Sequence, residues 1–134
     1  MEDRIMKLDT QWGSQEEVKL EINSYLNNNG LYIGILSRDG DEFECYGDLT
    51  VNLAEKAPDY CAYVDTNNMP GIEKFIEQND LGEFTGFTQR SGFCEFPLYM
   101  FNVDKLRELC PESMESYEKT IGAVKTSVVK EKAR

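Results

Sequence analysis

Five carboxylates fall within ten residues of this chain: Asp39, Asp41, Glu42, Glu44 and Asp48. In an extended segment Glu42, Glu44 and Asp48 would project from one face. Same-face neighbours on a strand sit about 7 Å apart, close to the phosphate spacing along a nucleic-acid strand. Such a stripe suits a basic surface on a partner protein, with Tyr46 as an aromatic anchor. It also suits competition for a nucleic-acid-binding groove. The plain alternative is a solvated outer face, because salt screens exposed charges beyond about 8–10 Å. Hard cations could use the same oxygens, but the pattern D-x-[DN]-x-[DN]-G-x5-E is not met and no metal is assigned.

A second set of polar residues lies in two Gly-containing stretches, 65–71 and 85–92. Asp65, Asn67 and Asn68 stand in the first, Arg90 and Ser91 in the second. Read as loops, they could hold a small ligand, with Arg90 clamping an anion. Neither stretch matches a phosphate-binding glycine pattern, and turn chemistry alone accounts for most of these residues. Glu73 and Glu77 lie four apart on one helix face, but their neighbours are surface residues and no split-pKa pair for hydrolysis is indicated.

Much chemistry is excluded by composition. The chain has no histidine, which removes Ser-His-Asp and Cys-His nucleophile systems and every His-containing zinc site. No catalytic residue and no cofactor is assigned. The cysteines, Cys45, Cys61, Cys94 and Cys110, are too widely spaced for a zinc ribbon and read as small apolar core residues. Acids outnumber bases 25 to 14, for a formal charge of −11. That charge opposes direct binding to nucleic acid or to anionic membranes. The N-terminus lacks a basic region followed by an apolar one, so a cytoplasmic location is expected.

The elements that must position these residues follow from periodicity. With 134 residues the chain makes one domain with a core of its own. Residues 1–15 read as an arm or an edge strand. Over 17–26, Val18, Leu20, Ile22 and Leu26 fall on one face with Lys19, Glu21 and Asn23 opposite, which predicts a strand. Asn27–Gly30 is a hairpin signal, 31–36 its partner strand, and 38–41 a second turn. From Phe43 to Leu53 every odd position is apolar or glycine, which predicts one long half-buried strand, with Gly47 as the place for a bulge. Tyr60–Val64 is a short strand. A helix spans about 71–80 and Gly82 closes it. Two strands flank a loop at 88–92, with the aromatics between Phe84 and Phe101 serving as core. Asn102 caps a helix through Leu109. Pro111 starts a last helix whose stripe of Met114, Tyr117, Ile121, Val124 and Val128 docks on its own domain or on a second copy. The expected class is α+β: an antiparallel sheet of about five strands, two short helices and a C-terminal helix. The domain proper would be 16–110, followed by 111–134 with a basic end.

The stretches 46–53 (YGDLTVNL), 63–71 (YVDTNNMPG), 90–94 (RSGFC) and 96–99 (FPLY) resemble a family of small bacterial domains of unknown function. That family is carried largely on conjugative elements, plasmids and phages, and the resemblance covers about residues 18–109. It supplies no catalytic residues. It implies a context in which small proteins bind and disable host defences. The leading expectation is therefore a non-enzymatic acidic interaction protein that blocks a basic, nucleic-acid-binding surface of a host protein. The alternatives are a small-molecule-binding domain using the 65–71 and 85–92 stretches, and an oligomeric module, such as a homodimer joined through Met114–Val128.

Overall fold

The computed structural model describes residues 5–9, 13–26, 28–69 and 71–122. Two antiparallel four-stranded sheets and three helices make up the described chain. The first sheet holds β1 (Met6–Asp9), β2 (Gln15–Ser24), β3 (Leu31–Asp39) and β4 (Glu42–Asp48) in sequence order. The second holds β5 (Thr50–Val51), β6 (Cys61–Val64), β7 (Gly82–Ser91) and β8 (Cys94–Phe101), in the order β5-β6-β8-β7. Helix α1 (Ile72–Gln78) lies between β6 and β7 in the chain. Helices α2 (Val103–Leu109) and α3 (Pro111–Ile121) follow β8.

The α+β class holds, but the single five-stranded sheet does not. The division falls at Leu49. The expected strand 43–53 ends at Asp48, and the chain then passes into the second sheet at Thr50. Buried Leu49 donates its N–H to Ile33 O (2.9 Å) and accepts from Asp65 N (2.9 Å), so its backbone ties the two sheets together. The buried Thr50 hydroxyl bonds both Ile33 N (3.2 Å) and Tyr25 Oη (2.9 Å) at the same seam. Alternation of side chains is a property of extended backbone, so period two continued across a change of sheet.

One face of each sheet meets the main core. Val18, Leu20 and Ile22 of β2 pair with Ser37, Ile35 and Ile33 of β3, so the three apolar β2 residues share a face with Ile33 and Ile35. These pack with Ala62 and Val64 of β6, Tyr99 and Phe101 of β8, and the buried sides of all three helices. Burying one such aliphatic side chain contributes roughly 1.5–3 kcal/mol. The other face of the second sheet holds a smaller cluster of Cys61, Tyr63, Phe96 and Leu98. Among the cysteines, Cys61 is buried as expected, whereas Cys45 is exposed.

The last helix docks on its own domain. Met114 and Tyr117 lie fully within the core, and α3 packs on β2 and α2. Pro111 occupies its first turn, and Gly122 ends it in the left-handed conformation at φ 88°. Val124 and Val128 lie outside the described residues. At the base of α3, buried Glu118 accepts two bonds from Arg107, Nε at 3.2 Å and Nη2 at 2.6 Å, and a third from Tyr60 Oη at 2.6 Å. Arg107 holds the Glu118 carboxyl below its ordinary value. Burial, then the bond to Glu118, pushes Tyr60 up to about 12, so it stays a neutral donor. No described helix is long and apolar enough to cross a membrane.

Candidate functional site

The five stripe carboxylates do not share a face. Ile35 pairs with Gly47, yet Leu36 pairs with Cys45, so Tyr46 is an extra residue opposite that step. This bulge reverses the alternation of β4. Glu42 and Glu44 pair with Asp39 and Ser37, on the side of the sheet that carries Ile33 and Ile35. Asp48 pairs with Gly34 on the opposite side, where it accepts a 2.7 Å bond from Tyr32 Oη. Burial first, then Asp48, raises the Tyr32 phenol. Asp39, Gly40 and Asp41 form the tip of the hairpin. Glu44 lies close enough to Asp39 that hydrogen bonding and repulsion between the two raise the Glu44 pKa. Tyr46 is about one-third exposed, at 39%. The hairpin thus carries its acids on both faces.

The proposed ligand loops also change character. Arg90 and Ser91 lie inside β7, paired with Glu95 and Cys94, and the turn is displaced to Gly92 and Phe93. Asp65 is buried and is used locally, accepting from Asn68 N (3.2 Å) and Asn68 Nδ2 (2.9 Å) in an Asx turn. Asn67 is exposed on that turn.

A groove lies elsewhere among the described residues, between α1 and the start of β7. It has a volume of about 870 Å³. Its walls are built locally. In α1, Ile72, Phe75 and Ile76 face the core, which leaves Glu73, Lys74 and Glu77 exposed. The helix ends with Asp80 in the left-handed region at φ 55°. Asp80 N bonds Glu77 O (3.2 Å) and Leu81 N bonds Ile76 O (2.9 Å), with Leu81 buried. That is the Schellman pattern, with an aspartate where glycine is usual. Gly82 therefore does not close the helix as its sequence position suggested. It opens β7, where a Cβ would come within 2.7 Å of Met100 O and 3.0 Å of Phe101 Cα.

The floor is aromatic. Phe84 pairs with Tyr99 across β7 and β8, with ring centroids 5.8 Å apart, and Tyr99 lies 6.4 Å from Phe101 two residues along the same face. Phe101 and Tyr99 are buried, while Phe84 is 49% exposed. Beyond Phe84 the β7 register shifts, with three residues lying between the Phe84–Tyr99 and Thr88–Pro97 pairs against one on β8. Tyr99 Oη donates to Glu73 Oε2 at 2.6 Å. Burial, reinforced by Glu73, raises the Tyr99 pKa, so the phenol remains a donor and orients that carboxylate. Asn102 closes one end. Its Nδ2 donates to Asp80 O (3.2 Å) and Asp80 Oδ2 (3.3 Å), and its Oδ1 caps α2 through Lys105 N (3.2 Å).

Four carboxylates, Glu73, Glu77, Asp80 and Glu83, line this groove against one base, Lys74. Among the described residues, no group of three His, Cys, Asp or Glu side chains is gathered closely enough to hold a metal ion. Negative charge over an apolar floor suits cationic side chains, because the floor lowers the local dielectric and strengthens each charge pair. Sequence reasoning weighed Glu73 with Glu77 only as a hydrolytic pair, and missed Asp80, Glu83, Phe84 and Tyr99 as site residues. The Glu73–Glu77 spacing was the available signal. Pairing of Phe84 with Tyr99 depends on strand register, which the sequence pattern did not display.

Residues 19–121 match the model of a family described as Domain of unknown function (DUF4313). The chain belongs to that family. No curated protein and no solved structure matches it. The groove between α1 and β7 lies wholly within the matched segment, as do the β4 hairpin and the Glu118 cluster.

Proposed function

We propose that this DUF4313 domain is a non-catalytic interaction module that binds a basic surface of a partner protein. One observation carries the reading: a groove of about 870 Å³ lined by four carboxylates and by the aromatic side chains of Phe84, Tyr99 and Phe101. The net charge of −11 supports it, since such a field speeds encounter with positive surfaces and repels nucleic-acid backbones. In its narrower form the partner surface is itself a nucleic-acid-binding groove, and the domain blocks it stoichiometrically as an inhibitor from a mobile element.

The test is the affinity of a lysine- and arginine-rich peptide, measured from about 50 mM to about 300 mM salt, over which electrostatic binding falls steeply. Glu77→Lys with Glu83→Lys is expected to weaken binding about 30-fold. Asp41→Lys with Glu42→Lys and Glu44→Lys on the hairpin is expected to retain it. Salt-independent binding, or loss only in the hairpin variant, would move the site away from the groove.

A further inference from the structure

We propose that the α1–β7 groove selects arginine over lysine, its ligand being an arginine side chain of the partner. This rests on the interaction reading above and names the chemistry at its centre.

Three features separate the two cations. The exposed part of the floor is an aromatic ring: Phe84 is half exposed at the end of an aromatic row that continues into Tyr99 and Phe101. A planar, weakly hydrated guanidinium stacks on such a ring, whereas an ammonium gives up a strong hydration shell to reach it. Two carboxylates of α1, Glu73 and Glu77, stand on the Tyr99 side of β7, whereas Glu83 pairs with Met100 and projects from the other face at the groove's rim. A fork of five N–H donors pairs with two carboxylates at once, and a single ammonium on a flexible stem does so less well. Finally, Tyr99 already occupies one oxygen of Glu73 and holds that carboxylate in place, which favours a rigid planar partner.

The molecule makes the same combination once internally. On the outer side of the first sheet, Arg38 lies 5.3 Å from the centroid of Phe43 while its Nε pairs with Glu17 Oε1 at 3.0 Å. Lys19 also lies over that ring at 4.4 Å, with no carboxylate bonded to it in the described structure. Ring and carboxylate together accompany arginine there. In the groove, ring and carboxylates come from this chain, and charge complementarity assigns the guanidinium to the partner.

The experiment compares two capped, fluorescently labelled peptides, one alternating glycine and arginine and one alternating glycine and lysine, by anisotropy against the full chain. The arginine peptide is expected to bind about tenfold tighter. Phe84→Ala should bring its affinity down to that of the lysine peptide and leave the lysine peptide unchanged. Phe84 is half exposed, and an unchanged melting temperature confirms that the variant is folded. Equal affinity for both peptides, or an arginine preference that survives Phe84→Ala, overturns the arginine assignment. If neither peptide binds, or if Glu77→Lys with Glu83→Lys binds as the wild type does, the groove reading itself fails.

Discussion

The β3–β4 hairpin and the α1–β7 groove are both acidic, and they differ in arrangement. The hairpin carries its acids on two faces, and all five are exposed. The groove is concave and floored by aromatic rings. Charge on an exposed edge is screened beyond about 8–10 Å, whereas charge beside an apolar floor keeps more of its field. The density of carboxylates along a sequence therefore does not by itself gather them at one concave surface. A third acid marks the opposite limit: Glu118 is buried, and its charge is consumed by Arg107 and Tyr60.

Charge reversal separates the two surfaces most strongly. Glu77→Lys with Glu83→Lys should weaken binding of an arginine-rich peptide about 30-fold, roughly 2 kcal/mol. Reversal of Asp41, Glu42 and Glu44 should change it by less than about threefold. Equal losses, measured by anisotropy at matched salt, would erase the distinction between hairpin and groove.

Next in size is the consumed acid. Arg107→Ala should cost about 1–2 kcal/mol in urea unfolding, the lower part of the range for a charged hydrogen bond because Arg107 is half exposed. The sign with pH follows from the lowered Glu118 pKa. Its contribution is complete above the unfolded value near 4.5 and is lost as pH falls through the lower folded value. Arg107→Ala should therefore flatten the fall in stability below pH 4.5, with peptide binding at neutral pH unaffected. A variant that lost binding would place Glu118 among the recognition residues.

A smaller effect tests whether the groove trades stability for charge. Asp80 sits at φ 55°, where glycine is unstrained. Asp80→Gly should raise stability by about 0.5 kcal/mol, the gain from relieved backbone strain being partly offset by the lost bond from Asn102. Binding should weaken about threefold. Thermal melts and anisotropy on the same samples check both.

The weakest effect belongs to the hairpin. Glu44 should titrate above its ordinary value by NMR, and Asp39→Asn should lower it, because hydrogen bonding with the Asp39 carboxyl and then repulsion from it are the main causes. Stability should not change measurably, as expected of solvated charges.

Local patterns made many of these elements legible. Alternation located β2, the Asn-Gly hairpin signal placed β3 after it, the Ile72–Phe75–Ile76 spacing located α1, Asn102 and Pro111 marked the starts of α2 and α3, and Tyr60–Val64 contained β6. Each depends on residues within one turn or a few strand positions. What failed was non-local. One inserted residue at Tyr46 moved Asp48 to the other face from Glu42 and Glu44, because strand faces alternate residue by residue. The 85–92 stretch looked like a loop from its Gly, Thr and Ser content, yet pairing with β8 held most of it in a strand.

By itself, then, the sequence determined the α+β class, most element positions and the net charge, since these follow from composition and short-range periodicity. The tertiary structure alone decided that the strands form two sheets, that Leu49 marks their division, and that carboxylates from 73–83 line one groove with Phe84, Tyr99 and Phe101. The physical reason is register: which residues meet across strands is set by long-range pairing and packing, and a shift of one residue changes every face beyond it.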